Sequence, residues 1–249
     1  MIGVFDSGSG GLSVYREIVK LLPGEDYAYY SDNAHCPYGE KSREYIIDRA
    51  RSITDFLIGK GCNIIVVACN TATAAAISTL RQEYSIPFIG MEPAVKPAAF
   101  LTRSGVVGVL ATAGTISSTK YLDNRDLYTD KVKIVEHVGQ GFVELVEKGM
   151  LDGPEVEEVV ERSVRPIMDA GADVIVLGCT HYPFLRPVIQ KAAGPEVTVI
   201  DPAPAVARHL VTVMEEHDLL KKEARSESGT LCLFSSGPSD SMERIVALL

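Results

Sequence analysis

Short apolar runs of strand length alternate along almost the whole chain with longer stretches whose apolar residues recur every three or four positions. No other feature restricts its folds as sharply. The runs fall at residues 2–5, 27–30, 64–68, 88–90, 106–110, 133–138, 174–177, 197–200 and 231–234, and the helical period runs through residues 43–59, 71–84 and 154–171. Ile64-Ile65-Val66-Val67 shows no polar alternation, which is the pattern of a strand covered on both faces. Such strands, separated by helices, build βαβ units. The expected class is therefore α/β, with mainly parallel sheets flanked by helices.

The chain also repeats itself. Gly3-Val4-Phe5-Asp6-Ser7 matches Gly108-Val109-Leu110-Ala111-Thr112, Cys69 stands in Ala68-Cys69-Asn70-Thr71 as Cys179 stands in Gly178-Cys179-Thr180-His181, and Glu92-Pro93-Ala94 matches Asp201-Pro202-Ala203. Landmarks that recur in one order at nearly constant spacing predict two similar domains. They are expected to be pseudo-twofold related, with the active site in the cleft between them. Proline just after a strand stops its ladder, so the acidic-Pro-Ala segments mark crossovers. The first domain is expected over 1–92 plus 206–249, carrying Asp6 and Cys69. The second is expected over 93–205, carrying Glu147, Cys179 and His181. A strand at 231–234 and a short helix from about Ser239 would complete the first.

Charge and cysteine usage narrow the partners. A net charge of −9 without a basic patch argues against nucleic acid, since neutralising phosphates needs clustered Lys and Arg. The five cysteines, at 36, 62, 69, 179 and 232, form no Cys-x-x-Cys pair, so neither a disulfide framework nor a zinc ribbon is expected. Free thiols fit a reducing compartment. The first residues lack the basic start and apolar run of a signal peptide, and no apolar stretch reaches the length of a membrane span. The expectation is a cytoplasmic protein with no membrane partner.

The two matched cysteines carry the chemistry. Each ends an apolar run and opens a polar turn, and α/β proteins place reactive groups at the carboxyl ends of strands. A thiol there can act as a base or, protonated, as an acid. Two of them suggest a two-sided acid/base site. Asn70, Thr71 and Thr180 follow the thiols with amide and hydroxyl donors, and His181 is placed to tune Cys179 or relay its proton. Asp6-Ser7-Gly8-Ser9-Gly10-Gly11 lies between a strand and a helix and could hold a small carboxylate, but it lacks the lysine of a P-loop and has Ser13 where the dinucleotide pattern needs Gly or Ala. Sulfur and nitrogen on Cys69, Cys179 and His181 also suit zinc. No metal and no cofactor is nonetheless the expectation. Glu147 by itself reads as a surface carboxylate late in a helix.

Five segments together resemble one family. They are residues 3–12 (Gly-Val-Phe-Asp-Ser-Gly-Ser-Gly-Gly-Leu), residues 31–42 (Ser-Asp-Asn-Ala-His-Cys-Pro-Tyr-Gly-Glu-Lys-Ser), Ala68-Cys69-Asn70-Thr71-Ala72, Thr112-Ala113-Gly114-Thr115 and Gly178-Cys179-Thr180-His181-Tyr182-Pro183. In this order they resemble the glutamate racemases of the aspartate/glutamate racemase superfamily, over nearly the whole chain. The resemblance implies a cofactor-independent isomerase that interconverts L- and D-glutamate and supplies D-glutamate for peptidoglycan, and so for cell-wall biogenesis and cell shape. It implies that Cys69 takes the α-proton of the D-enantiomer and Cys179 that of the L-enantiomer, with Asp6 assisting the first thiol and His181 and Glu147 the second. It further implies that Asp6, Ser7, Tyr38, Gly39, Asn70, Thr71, Thr112, Thr115, Thr180 and His181 line the substrate site, and that the protein is a homodimer. The chain opens at the first strand with no preceding extension, so regulation through one is not expected. Two other readings remain: a racemase of aspartate or another acidic amino acid, and a non-catalytic amino-acid-binding protein.

Overall fold

The structure is a computed structural model that describes residues 1–221 and 228–249. The chain begins with β1 (Ile2–Asp6), α1 (Leu12–Leu21), β2 (Tyr27–Ser31), α2 (Arg43–Gly59), β3 (Ile64–Val67), α3 (Asn70–Glu83) and β4 (Phe88–Ile89). It continues with α4 (Val95–Leu101), β5 (Val106–Ala111), α5 (Ala113–Ile116), α6 (Thr119–Asp126), β6 (Lys133–Val138), α7 (Phe142–Glu147), α8 (Pro154–Asp169), β7 (Val174–Gly178), α9 (Arg186–Ala193) and β8 (Thr198–Ile200). It closes with α10 (Ala203–Glu216), β9 (Leu231–Ser235) and α11 (Asp240–Val246). Short 3₁₀ turns lie at Asn33–His35, Tyr38–Glu40 and Tyr182–Leu185.

The chain divides into two compact units, Met1–Met91 with Ala203–Leu249, and Glu92–Pro202. In the first, the sheet order is β4-β3-β1-β2-β9 and every pairing is parallel. From β1 the chain steps to β2 on one side, then back across β1 to β3 and on to β4. Right-handed crossovers put α1 on one face and, with the direction reversed, α2 and α3 on the other. The packing agrees: Ile46, Ile47, Ala50, Ile53 and Leu57 of α2 and Ala72, Ala76, Ile77 and Leu80 of α3 share one core with Phe5, Ile65 and Val67, whereas α1 packs on α10. Ile2, Val4, Ile64 and Val66, which point the other way, are fully buried too. Covering both faces is what makes the β3 run continuously apolar.

The second unit repeats this order. Its sheet runs β6-β5-β7-β8, again parallel throughout. Helices α4 and α6 bring Val95, Ala98 and Tyr121 onto Val107, Val109, Val174 and Val176. Helix α8 packs against α9 and presses Ile167 so close to β5 that a Cβ on Gly108 would lie 2.3 Å from it; glycine is required there by packing, not by its φ. Pro154 in the first turn of α8 and Glu155 and Glu157 beside it suit a helix N-terminus, and Gly171, with φ 86°, follows its end.

Element ends shift from the sequence expectation for local reasons. The helix expected over 71–84 begins at Asn70, because the Cys69 side chain caps it. The one expected over 154–171 stops at Asp169, ahead of the left-handed Gly171. No helix among the described residues is long and apolar enough to cross a membrane.

Candidate active site

In each sheet the strand that reverses the winding direction sits beside a first strand, β1 beside β3 and β5 beside β7. Open α/β sheets bind ligands outside the carboxyl ends of such a pair, because the flanking loops diverge there. Cys69 lies just past β3 and Cys179 just past β7. Both thiols thus stand at the switch point of their own sheet, and both are buried.

Cys69 is in extended conformation (φ −140°, ψ 121°) and caps α3, its Sγ accepting from the Ala72 N–H at 3.4 Å. The amides and positive dipole end of a long helix therefore face the sulfur. The Ser7 hydroxyl is 3.8 Å from it. Asp6, with 0 % exposure, ends β1 and accepts the Gly8 N–H on Oδ2 at 3.0 Å. Part of the donor capacity of the loop after β1 is therefore used by its own carboxylate. Gly11 makes this fit: a Cβ there would come within 2.7 Å of the Asp6 Cβ and 2.9 Å of the Tyr29 hydroxyl.

Asn70, the first residue of α3, has 3 % exposure, and neither Nδ2 nor Oδ1 has a hydrogen-bond partner among the described residues. A buried polar atom left unsatisfied costs about 1–3 kcal/mol, so both ends of this amide are suited to hydrogen-bond a bound molecule, water included. Thr71 is buried beside it.

Cys179 has a different set of neighbours. His181 Nδ1 lies 3.8 Å from its Sγ, and His181 Nε2 lies 2.7 Å from Glu147 Oε1. Helix α7 packs on the turn Tyr182–Leu185, which brings Glu147 to the histidine. Burial opposes a charge on His181, but the hydrogen bonds and negative charges of Cys179 and Glu147 outweigh it and raise its pKa well above the ordinary imidazole value. The result is a carboxylate–imidazole–sulfur line along which a proton can be held or passed on.

The remaining residues singled out from sequence fall into the same two groups. Ser7, Tyr38 and Gly39 belong to the first unit with Asp6, Cys69, Asn70 and Thr71; Thr112, Thr115 and Thr180 belong to the second with Glu147, Cys179 and His181. Thr112 caps α5, accepting from the Thr115 N–H at 3.2 Å and donating to its hydroxyl at 3.0 Å. Thr115 and Thr180 are each 1 % exposed. The buried Tyr38 hydroxyl donates to Asp32, whose carboxylate is held by Arg49. Neither Asp32 nor Arg49 stands out in the sequence. Asp32 lies within the segment 31–42, but nothing in the sequence pairs it with an arginine in the middle of α2.

Residues 2–210 match the family model described as Asp/Glu/Hydantoin racemase. The chain is 49% identical over 248 residues to a glutamate racemase of Methylococcus capsulatus, which covers 100% of this chain and 91% of that protein. The crystal structure of a glutamate racemase from Bacillus anthracis superposes with a TM-score of 0.89 at 34% identity, covering 100% of this chain and 92% of that one. That of Escherichia coli glutamate racemase, in complex with L-glutamate and the activator UDP-MurNAc-ala, gives 0.86 at 33% identity, covering 99% and 92%. A doubly wound α/β enzyme is thereby placed: the chain belongs to the Asp/Glu/hydantoin racemase family. It is an isomerase, an amino-acid racemase, and the relatives named above are glutamate racemases.

Proposed function

We propose that this chain interconverts L- and D-glutamate without a cofactor, using Cys69 and Cys179 as its two acid/base groups. Inverting a stereocentre by deprotonation needs a base on one face of the α-carbon and an acid on the other. The observation that carries the reading is the matched placement of two buried thiols at the switch points of two like-ordered sheets. Cys69 is assigned the α-proton of D-glutamate and Cys179 that of L-glutamate, each thiolate acting while the other thiol protonates the opposite face. Asp6 assists the first thiol, and the Glu147–His181 pair assists the second.

An amino acid's α-proton is far less acidic than a thiol, so the developing carbanion must be stabilised by donors aimed at its carboxylate in a site that excludes water. The unpartnered amide of Asn70 and the hydroxyls of Thr71 and Thr180 are suited to that task. Asp6, Ser7, Tyr38, Gly39, Thr112, Thr115 and His181 line the rest of the substrate site in this reading. The role in supplying D-glutamate for peptidoglycan, a cytoplasmic location and a homodimeric state belong to the same proposal. They are supported by the high identity to glutamate racemases and by the activator UDP-MurNAc-ala in the Escherichia coli neighbour.

Purified protein given no cofactor and treated with a chelator is expected to racemise both glutamate enantiomers, followed by circular dichroism. Its kcat/KM for glutamate should exceed that for aspartate by about tenfold or more, the discrimination one methylene supports. Faster turnover of aspartate would refute the choice of substrate, and loss of activity on chelation would refute the metal-free mechanism.

A further inference from the structure

We infer that Arg49, acting through Asp32, is a positioning residue that holds the turn at Tyr38 and Gly39 in place for glutamate; the inference rests on the glutamate-racemising reading above. Asp32 follows β2 directly and has 0 % exposure. Its N–H donates to the Asp6 carbonyl at 3.0 Å. Its carboxylate accepts Arg49 Nε on Oδ2 at 2.9 Å and Nη2 on Oδ1 at 2.8 Å, and the Tyr38 hydroxyl also donates to Oδ2. His35 Nε2 stands 4.0 Å from Oδ1. One buried residue thus joins α2 and the turn that carries Tyr38 through its carboxylate, and the end of β1 through its backbone N–H.

An isolated buried carboxylate would be too costly to keep ionised. The arginine fork supplies a charge and a fixed plane together, with the Arg49 side chain itself 23% exposed. Burial works to raise the Asp32 pKa, but the hydrogen bonds from Arg49, Tyr38 and Ser236, with the Arg49 charge, hold it below the usual carboxylate value. The Tyr38 phenol is pushed upward by burial and by the Asp32 charge, and stays protonated as the donor. Its ring lies in the same core as Ile46, Ile47, Ala50 and Cys69. With the phenol engaged on Asp32, the turn has the backbone of Gly39 to offer a substrate. Position, not side-chain chemistry, is what this turn contributes, and Arg49 sets it.

The test uses the full-length chain with Arg49→Met and, as the conservative partner, Arg49→Lys, assayed for glutamate racemisation beside the wild type. KM is expected to rise about tenfold in Arg49→Met and about threefold in Arg49→Lys, which keeps the charge without the fork, while kcat changes by less than about threefold. A merely structural role would lower the folded fraction, and so apparent kcat, at unchanged KM. That outcome, or a KM unaltered in both variants, overturns the inference; should Arg49→Met not fold, the KM of Arg49→Lys decides. A wild type inactive on glutamate would instead strike at the substrate reading on which the role of Arg49 rests.

Discussion

Cys69→Ser and Cys179→Ser are each expected to lower kcat for either glutamate enantiomer by about 10³-fold or more, while leaving glutamate affinity within a few-fold of the wild type. A serine hydroxyl is nearly isosteric with the thiol, so the site keeps its shape. It cannot supply an ionised base near neutral pH, and it is a poorer proton donor to a carbanion. In the proposed mechanism each direction of the reaction uses one thiol as base and the other as acid, so neither variant should spare one direction. The equilibrium constant of a racemisation is one, which forces kcat/KM to be equal for the two enantiomers in any variant. The unlike helpers at the two thiols can therefore make the individual kcat and KM values differ between enantiomers, but not their ratio. Steady-state kinetics with both enantiomers, together with calorimetric binding, checks the prediction. Near-normal turnover in either variant would sink the two-thiol mechanism.

Glu147→Gln is expected to lower kcat by about 10- to 100-fold and to move the alkaline limb of the pH–rate profile toward acid. Gln keeps the size of the side chain and an oxygen for His181 Nε2, now 2.7 Å from Glu147 Oε1, but removes the charge. In the wild type the partners raise the folded pKa of His181 despite burial. The stability this contributes is fully present below the unfolded histidine pKa, about 6.5, and is lost as pH rises through the raised folded value. Removing the Glu147 charge lowers the folded value, so the imidazolium is lost at lower pH. The melting temperature of the variant should fall most, relative to the wild type, on the acidic side of that window. Paired pH–rate profiles and melting curves check both limbs; an unshifted alkaline limb would remove the Glu147–His181 pair from the account.

The fold was legible because each strand and helix states its own environment. The β3 run and the β7 run Val174-Ile175-Val176-Leu177-Gly178 are apolar without alternation because helices cover both faces. The matched landmarks correspond to two sheets with the same order about a first strand, β2-β1-β3-β4 and β6-β5-β7-β8. The placement of Cys69 and Cys179 just past β3 and β7 could be read because each ends such a run. Partnerships between distant segments were less accessible. Nothing in Leu145-Val146-Glu147-Lys148-Gly149 marks Glu147 apart from the family resemblance, since its contact with His181 depends on how α7 meets the turn Tyr182–Leu185. Arg49 reads as one more charge on a solvated helix, because its partner Asp32 lies on a preceding loop. The unpartnered state of the Asn70 amide is a property of packing, which composition and period do not encode.

The most direct test of the two-thiol account is hydrogen exchange at Cα in heavy water, with wild-type protein, no added cofactor and each glutamate enantiomer in turn. The thiol that protonates the product exchanges its hydrogen with solvent, while the thiol that abstracted the proton faces the side of the substrate. At early times the product is therefore expected to carry one deuterium at Cα and the remaining substrate almost none, in both directions. Product that keeps its original hydrogen, or deuterium entering substrate and product alike, would contradict the assignment of one thiol to each face.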